Sequence, residues 1–170
     1  MHDIKQQFIE SYRKYFSSIY KYCLFRVSSV EDAQDITETT FMKTWDYITE
    51  GKKIMNYRAF LFRIAHNQIV NLYNKRSIDK DKIVPLTKAD GSMIDAPDGI
   101  DIHAKTEIKE LYKEIIKELN ELKPEYRDVM LLRYVEDMEF SEIAQALEIS
   151  EENVRVRIHR AIKKVKEAIQ

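Results

Sequence analysis

The sequence predicts an all-α fold: two small helical domains joined by a flexible linker, the C-terminal one containing a helix-turn-helix. Three observations predict it. Apolar residues recur at steps of three and four along most of the chain, the period of a helix with one buried face. The 170 residues include only 3 Gly and 3 Pro, so helical stretches meet few interruptions. Between residues 77 and 101 the period vanishes, and Pro85, Gly91, Pro97 and Gly99 stand among Asp90, Asp95, Asp98 and Asp101. So long a patternless stretch reads as a linker between residues 1–76 and 102–170, each with a core of its own.

Residues 3–27 form the first expected helix, with Phe8, Tyr12, Phe16, Ile19, Cys23 and Val27 on one stripe. Cys23 lies among Tyr20, Leu24 and Val27 and reads as a packed core thiol. Ser28 and Glu31 offer a capping box for a second helix over residues 30–48. Its inner stripe is Ala33, Ile36, Thr40, Phe41, Thr44, Trp45 and Ile48, and its outer face opens acidic with Glu31, Asp32, Asp35 and Glu38. Glu50-Gly51-Lys52-Lys53 makes a basic loop.

A third helix follows over residues 56–75, with Leu61, Ile64, Ala65, Ile69 and Leu72 as core positions. Tyr57, Arg58, Phe60, Arg63, Asn67, Asn71, Lys75 and Arg76 are left for its other faces. Aromatics interleaved with Arg and Asn suit a surface for unstacked bases, since rings stack on base faces and amides read base edges. Ordinary packing of the aromatics is the competing explanation.

Beyond the linker, Ile108, Leu111, Ile115, Leu119 and Leu122 give a clean stripe from about Ile102 onward. Pro124 opens a further helix, as Pro does at a first helical position, with Val129, Leu132 and Val135 inward. Phe140, Ile143, Ala144 and Leu147 mark a short helix, and Glu148-Ile149-Ser150 a tight turn capped by Ser150. The last helix buries Val154, Ile158, Ala161 and Val165 and leaves Arg155, Arg157, His159, Arg160, Lys163, Lys164 and Lys166 outward. A short helix, a turn and a basic second helix is the arrangement whose second helix enters the DNA major groove.

The formal net charge is −1, so affinity for nucleic acid has to come from local patches and is weak and salt-sensitive alone. That suits a protein that reaches DNA within a larger assembly. The single cysteine excludes an internal disulfide, and His2, His66, His103 and His159 lack ligand spacing, so no metal is expected. Without a Gly-rich phosphate loop or nucleophile motif, the expectation is no enzyme, no cofactor and no small-molecule substrate. No run approaches a membrane span and no signal pattern opens the chain, so a cytoplasmic place without membrane insertion is expected.

Three stretches, EDAQDITETTFMKTW, NYRAFLFRIAHNQIVNLYNKR and the long run from LKPEYRDVMLLRY to the last lysines, carry a resemblance. The chain resembles a bacterial RNA polymerase sigma factor of the extracytoplasmic-function (ECF) group of the sigma-70 family. The resemblance implies sigma domain 2 over residues 1–76 and sigma domain 4 over residues 102–170. It implies that Asp32, Asp35, Glu38, Phe41 and Trp45 serve polymerase binding at the beta-prime clamp. Lys52, Lys53, Arg58, Phe60, Arg63, Asn67 and Asn71 would grip and melt the minus-10 element. Arg155, Val156, His159 and Arg160 would face minus-35 bases, with Arg157 and Lys163 toward phosphates. The implied partners are core RNA polymerase, through the beta-prime clamp and beta flap, promoter DNA and an anti-sigma protein, with a nucleoid-associated location. Where the family often has Gly in the turn, Glu148 stands here, and a strained positive φ is expected of it.

Two other readings fit the residues. One is a stand-alone helix-turn-helix regulator that senses or dimerises through residues 3–76. The other is a helical adaptor whose basic helix binds an acidic partner.

Overall fold

The computed structural model describes residues 2–27, 29–77 and 106–169. Among them are seven α-helices, one π turn and no strand. The helices are α1 (His2–Arg26), α2 (Val30–Thr49), α3 (Tyr57–Ser77), α4 (Thr106–Glu121), α5 (Pro124–Met130), α6 (Phe140–Leu147) and α7 (Glu151–Ile169), with the π turn at Leu131–Val135. The linker expected over 77–101 lies, apart from Ser77, outside the described residues, as does Ile102.

The first three helices pack on one another, and α5, α6 and α4 each pack on α7. Local chemistry sets the ends. Ser29 caps α2 by accepting from Asp32 N at 3.3 Å, one residue later than the expected Ser28, which is outside the described residues. Asn56 caps α3 by accepting from Ala59 N at 3.0 Å. Gly51 carries the turn after α2 at φ +85°, where a side chain would be strained. The guanidinium of Arg127 donates to the carbonyls of Leu119, Asn120 and Leu122, closing the C-terminal end of α4.

Thr37, Thr40 and Thr44 are fully buried along α2, and each hydroxyl donates to the carbonyl four residues earlier, at 2.7, 2.7 and 2.8 Å. Each of the three hydroxyls is thereby satisfied where water cannot reach it. Cys23 is buried, and burial pushes its thiol up to about 12, so it is an inert packing group.

The expectation of two independent cores does not hold. One continuous cluster runs from Ile19, Tyr22 and Val27 through Phe41, Leu61, Phe62 and Ile69 to Leu132, Met138, Ile143, Ala146 and Val154. The joint is α3 against α6, the most extensive helix pairing among the described residues. Its physical basis is that each of these helices is apolar on two sides. Besides the expected core positions of α3, Ala59 and Phe62 are buried, and besides those of α6, Ala146 is. Such faces have to be covered, and they cover each other.

Val135 was expected inward and is 44% exposed, while Leu131 is buried. The π turn explains this. Glu136 N bonds to Leu131 O at 3.1 Å, five residues back, so the helix holds an extra residue and the register after Leu132 rotates.

Candidate nucleic-acid and polymerase interfaces

The helix-turn-helix is built by two caps and one strained residue. Glu148 has φ 55° and ψ 45°, as expected of a non-Gly residue at this turn. It lets Ile149 N reach Ala144 O at 3.0 Å and ends α6 sharply. Ser150 Oγ then accepts from Asn153 N at 3.1 Å and starts α7. Buried Val154, Ile158 and Ala161 fix how α7 is rotated. Arg155, Val156, His159, Arg160 and Lys163 are consequently all exposed, and steps of one and four place them on one strip. Arg155 is held lightly, 3.7 Å from Glu151 Oε2 and over the Phe140 ring at 5.3 Å. Arg157 is half-buried off that strip, with Nε 3.3 Å from Asn153 Oδ1.

The second cationic region begins at the loop after α2. Lys52 and Lys53 are exposed; Lys52 pairs with Glu50 at 2.6 Å and sits over the Tyr47 ring at 5.1 Å. Hydrogen bonding and attraction to Glu50 raise its pKa above the ordinary lysine value. The Phe60 ring lies 4.7 Å from that of Tyr47, and the Arg63 guanidinium covers Phe60 at 5.1 Å. Phe60, Arg63, Asn67 and Asn71 follow one another at helical steps, and both amides are exposed. This makes a ladder of ring, cation and two amides along α3.

Two of the expected α3 residues are partly engaged. Arg58 Nη2 donates to Glu136 O, and its Nε lies 3.7 Å from Glu142 Oε2. Asn67 Nδ2 reaches Glu148 Oε1 at 3.4 Å. All three partners, Glu136, Glu142 and Glu148, belong to the C-terminal half.

On α2, Asp35 and Glu38 are exposed, while Asp32 is half-buried and paired with Arg76 at 2.6 Å. Phe41 is buried, with the rings of Tyr12 at 4.9 Å and Phe16 at 5.8 Å. Trp45 is 37% exposed and meets Phe8 edge-on at 5.0 Å. These aromatics line a groove of about 640 Å³ between α1 and α2, rimmed by Lys5, Glu38 and Asp46. Among the described residues no cluster of His, Cys, Asp or Glu could hold a metal ion, and no helix is long and apolar enough to cross a membrane.

Residues 11–78 match the family Sigma-70 region 2, and residues 112–165 match Sigma-70, region 4. The RNA polymerase sigma-E factor of Streptomyces avermitilis is 30% identical over 142 residues, 82% of this chain and 72% of that one. The chain belongs to the ECF group of the sigma-70 family. The RNA polymerase sigma factor YlaC of Bacillus subtilis is 27% identical over 150 residues, 88% of this chain and 84% of that one. In solved structures, the sigma factor RpoE of Bartonella quintana, in complex with the anti-sigma factor NepR, shares the fold. Its TM-score is 0.68 at 18% identity, covering 99% of this chain and 98% of that one.

The sigma factor also holds a buried polar cluster that its sequence did not announce. Asp128 of α5 sits among Tyr22 and Arg26 of α1 and His66 of α3, all donors from the other half. In the sequence Arg26 has no assigned role, and His66 is one of four scattered histidines. The available signal was Asp128 itself, a carboxylate beside Val129 in an apolar stretch.

Proposed function

We propose that this sigma factor binds core RNA polymerase and directs promoter-specific initiation, recognising the minus-35 element as duplex and melting the minus-10 element. Residues 1–76 act as sigma domain 2 and residues 102–170 as sigma domain 4, joined through 77–101. On this reading Arg155, Val156, His159 and Arg160 meet base edges in the major groove, where Arg pairs with guanine. Lys163 and Arg157 meet phosphates, which position without specifying. The ladder of Phe60, Arg63, Asn67 and Asn71 takes an unstacked strand, with Lys52, Lys53 and Arg58 on its backbone. Asp35, Glu38 and Asp32 dock on the polymerase beta-prime clamp, steadied by Phe41 and Trp45, and the C-terminal half reaches the beta flap. Binding energy does this work, with no catalytic step and no cofactor. An anti-sigma protein is a further partner, as NepR is for RpoE. The place of action is the cytoplasm, at the nucleoid.

The observation that supports this best is the exposed strip on α7 in a chain that carries a second, chemically different strip on α3. The test is reconstitution. Purified chain with core polymerase should give promoter-dependent transcripts from some genomic fragments, and Arg155→Ala with Arg160→Ala should abolish them. Absence of any such transcript across a genomic library defeats the proposal.

A further inference from the structure

Two arginines share one aromatic ring beside the helix-turn-helix. Phe140 is the first residue of α6, half-buried and packed against the main apolar cluster. The Arg133 guanidinium lies over its ring at 4.7 Å and that of Arg155 at 5.3 Å. Arg133 belongs to the π turn, and its Nη1 donates to Met138 O at 2.8 Å. Arg155 has one further neighbour, Glu151 Oε2 at 3.7 Å, and its side chain is 59% exposed. An exposed arginine samples many rotamers, and a base that pairs with its planar fork has to freeze one of them. A ring that attracts the cation through its quadrupole narrows the choice before DNA arrives. Arg133, fixed by a carbonyl at the same ring, repels the second cation and so limits where Arg155 can sit.

We infer that Phe140 is a positioning residue for minus-35 recognition: its ring, shared with Arg133, holds the Arg155 guanidinium ready for the edge of one guanine. The inference rests on the reading of α7 as the helix that enters the major groove. Phe140 acts through Arg155 and contacts no base itself. Each hold on Arg155 is weak, which suits a group that has to turn from Glu151 to a base. Pre-ordering the fork lowers the entropy lost on binding, and it does so only where the base accepts both of the fork's hydrogen bonds. The ring therefore adds discrimination at one position rather than affinity at all of them.

The first measurement uses the full chain without DNA. Nitrogen relaxation of the Arg155 Nε–H should show a restricted group, and its signal should carry the upfield shift that a ring face imposes. Phe140→Leu keeps apolar bulk against the cluster and removes the ring, so Arg155 should become mobile and lose the shift. Phe140→Tyr keeps the ring and should keep both signs. An Arg155 that is mobile and unshifted in the parent overturns the inference, and this needs no variant to fold. An Arg155 equally restricted in parent and Phe140→Leu overturns it too.

The second measurement uses holoenzyme on promoter fragments with each minus-35 position varied. Arg155→Ala should cut the preference for one base by about tenfold or more. Phe140→Leu should cut the same preference by about threefold and leave the other positions alone, and Phe140→Tyr should preserve it. Phe140→Leu combined with Arg155→Ala should lose no more than Arg155→Ala does, because the ring works only through that side chain. If Phe140→Leu weakens every sequence alike, or its loss adds to that of Arg155→Ala, Phe140 is a packing residue only and the inference is overturned. If Arg155→Ala changes no preference while its relaxation behaves as expected, the reading of Arg155 as a base contact fails and the recognition role of Phe140 with it, whereas the ring's hold on the side chain stands.

Discussion

Helices α3 and α7 each carry cations and exposed polar residues, yet they are built on opposite plans. Buried residues of α7 occupy one stripe, Val154, Ile158 and Ala161, and the face opposite is open to solvent. Helix α3 answers to two neighbours. Leu61, Ala65 and Ile69 are buried with the α1–α2 pair at hand, while Arg58 and His66 bond to the C-terminal half. Between these neighbours runs the strip of Phe60, Arg63, Asn67 and Asn71, and even there Asn67 is shared with Glu148. A helix with one neighbour can give a whole face to a ligand; a helix with two gives a narrow strip, and what touches it competes with packing.

That contrast is broken most directly at Phe62. The side chain is fully buried in α3 and meets the Tyr22 ring at 5.4 Å. Phe62→Ala should destabilise the protein by about 3–5 kcal/mol, because the cavity lies between elements that cannot collapse together. Val156→Ala on the open face of α7 should change stability by less than about 0.5 kcal/mol. Urea unfolding of both variants checks the pair.

Asp128→Asn comes next, at about 3 kcal/mol near neutral pH, since it strips the partner from a buried guanidinium. Its pH dependence has a definite sign. Burial pushes the Asp128 carboxyl up, but the Arg26 guanidinium and then His66 and Tyr22 outweigh this, and it is held below its ordinary 3.8. A carboxyl lower in the folded state contributes stability that is complete above the unfolded value and drains as the pH falls through the folded one. The parent should thus lose this contribution in acid below about pH 4, and Asp128→Asn should not. Glu136 acts in the other sense: burial pushes its carboxyl up, so its contribution is present in acid and lost as pH rises. The difference between parent and variant isolates Asp128.

The same contrast explains what could be read in advance. Helix existence, the Ser150 cap and the positive φ at Glu148 were legible because each depends on neighbours within a few residues. The α7 strip was legible because one stripe of burial leaves one face over. Phe62, Ala59 and Ala146 were missed because a helix packed on both sides has no polar side to define its apolar one. Val135 was misplaced by a π turn that the residues Leu131–Val135 do not advertise. The Asp128 cluster joins residues 102 apart, from Arg26 to Asp128, and no local pattern carries that pairing.

On the α7 side, Arg155→Ala and Arg160→Ala should each leave folding within about 0.5 kcal/mol of the parent. In the assembled holoenzyme each should weaken promoter binding by about 1–3 kcal/mol if the side chain reads a base, and relax specificity at one minus-35 position. Lys163→Ala should instead weaken all sequences alike and flatten the salt dependence by about one unit of slope. Binding titrations at several salt concentrations separate the two classes of contact.

The smallest expected change tests the turn that joins the two helices of the motif. Glu148 sits at φ 55° with an exposed side chain whose one cross-domain bond, from Asn67, is 3.4 Å long. Glu148→Gly removes the Cβ that the left-handed backbone resists, which gains about 1 kcal/mol, and loses a weak surface contact. Greater freedom of glycine in the unfolded chain offsets part of the gain. The net expectation is a rise of about 0.5 kcal/mol, seen as a higher urea midpoint at unchanged slope. Glu148→Ala is the control, since it loses the same contact and keeps the strained φ. If alanine stabilises as much as glycine, backbone strain is not what Glu148 contributes, and the carboxylate itself burdens the joint. If only glycine stabilises, the left-handed backbone at Glu148 is the source of the strain, and the turn gains more than the lost Asn67 contact was contributing.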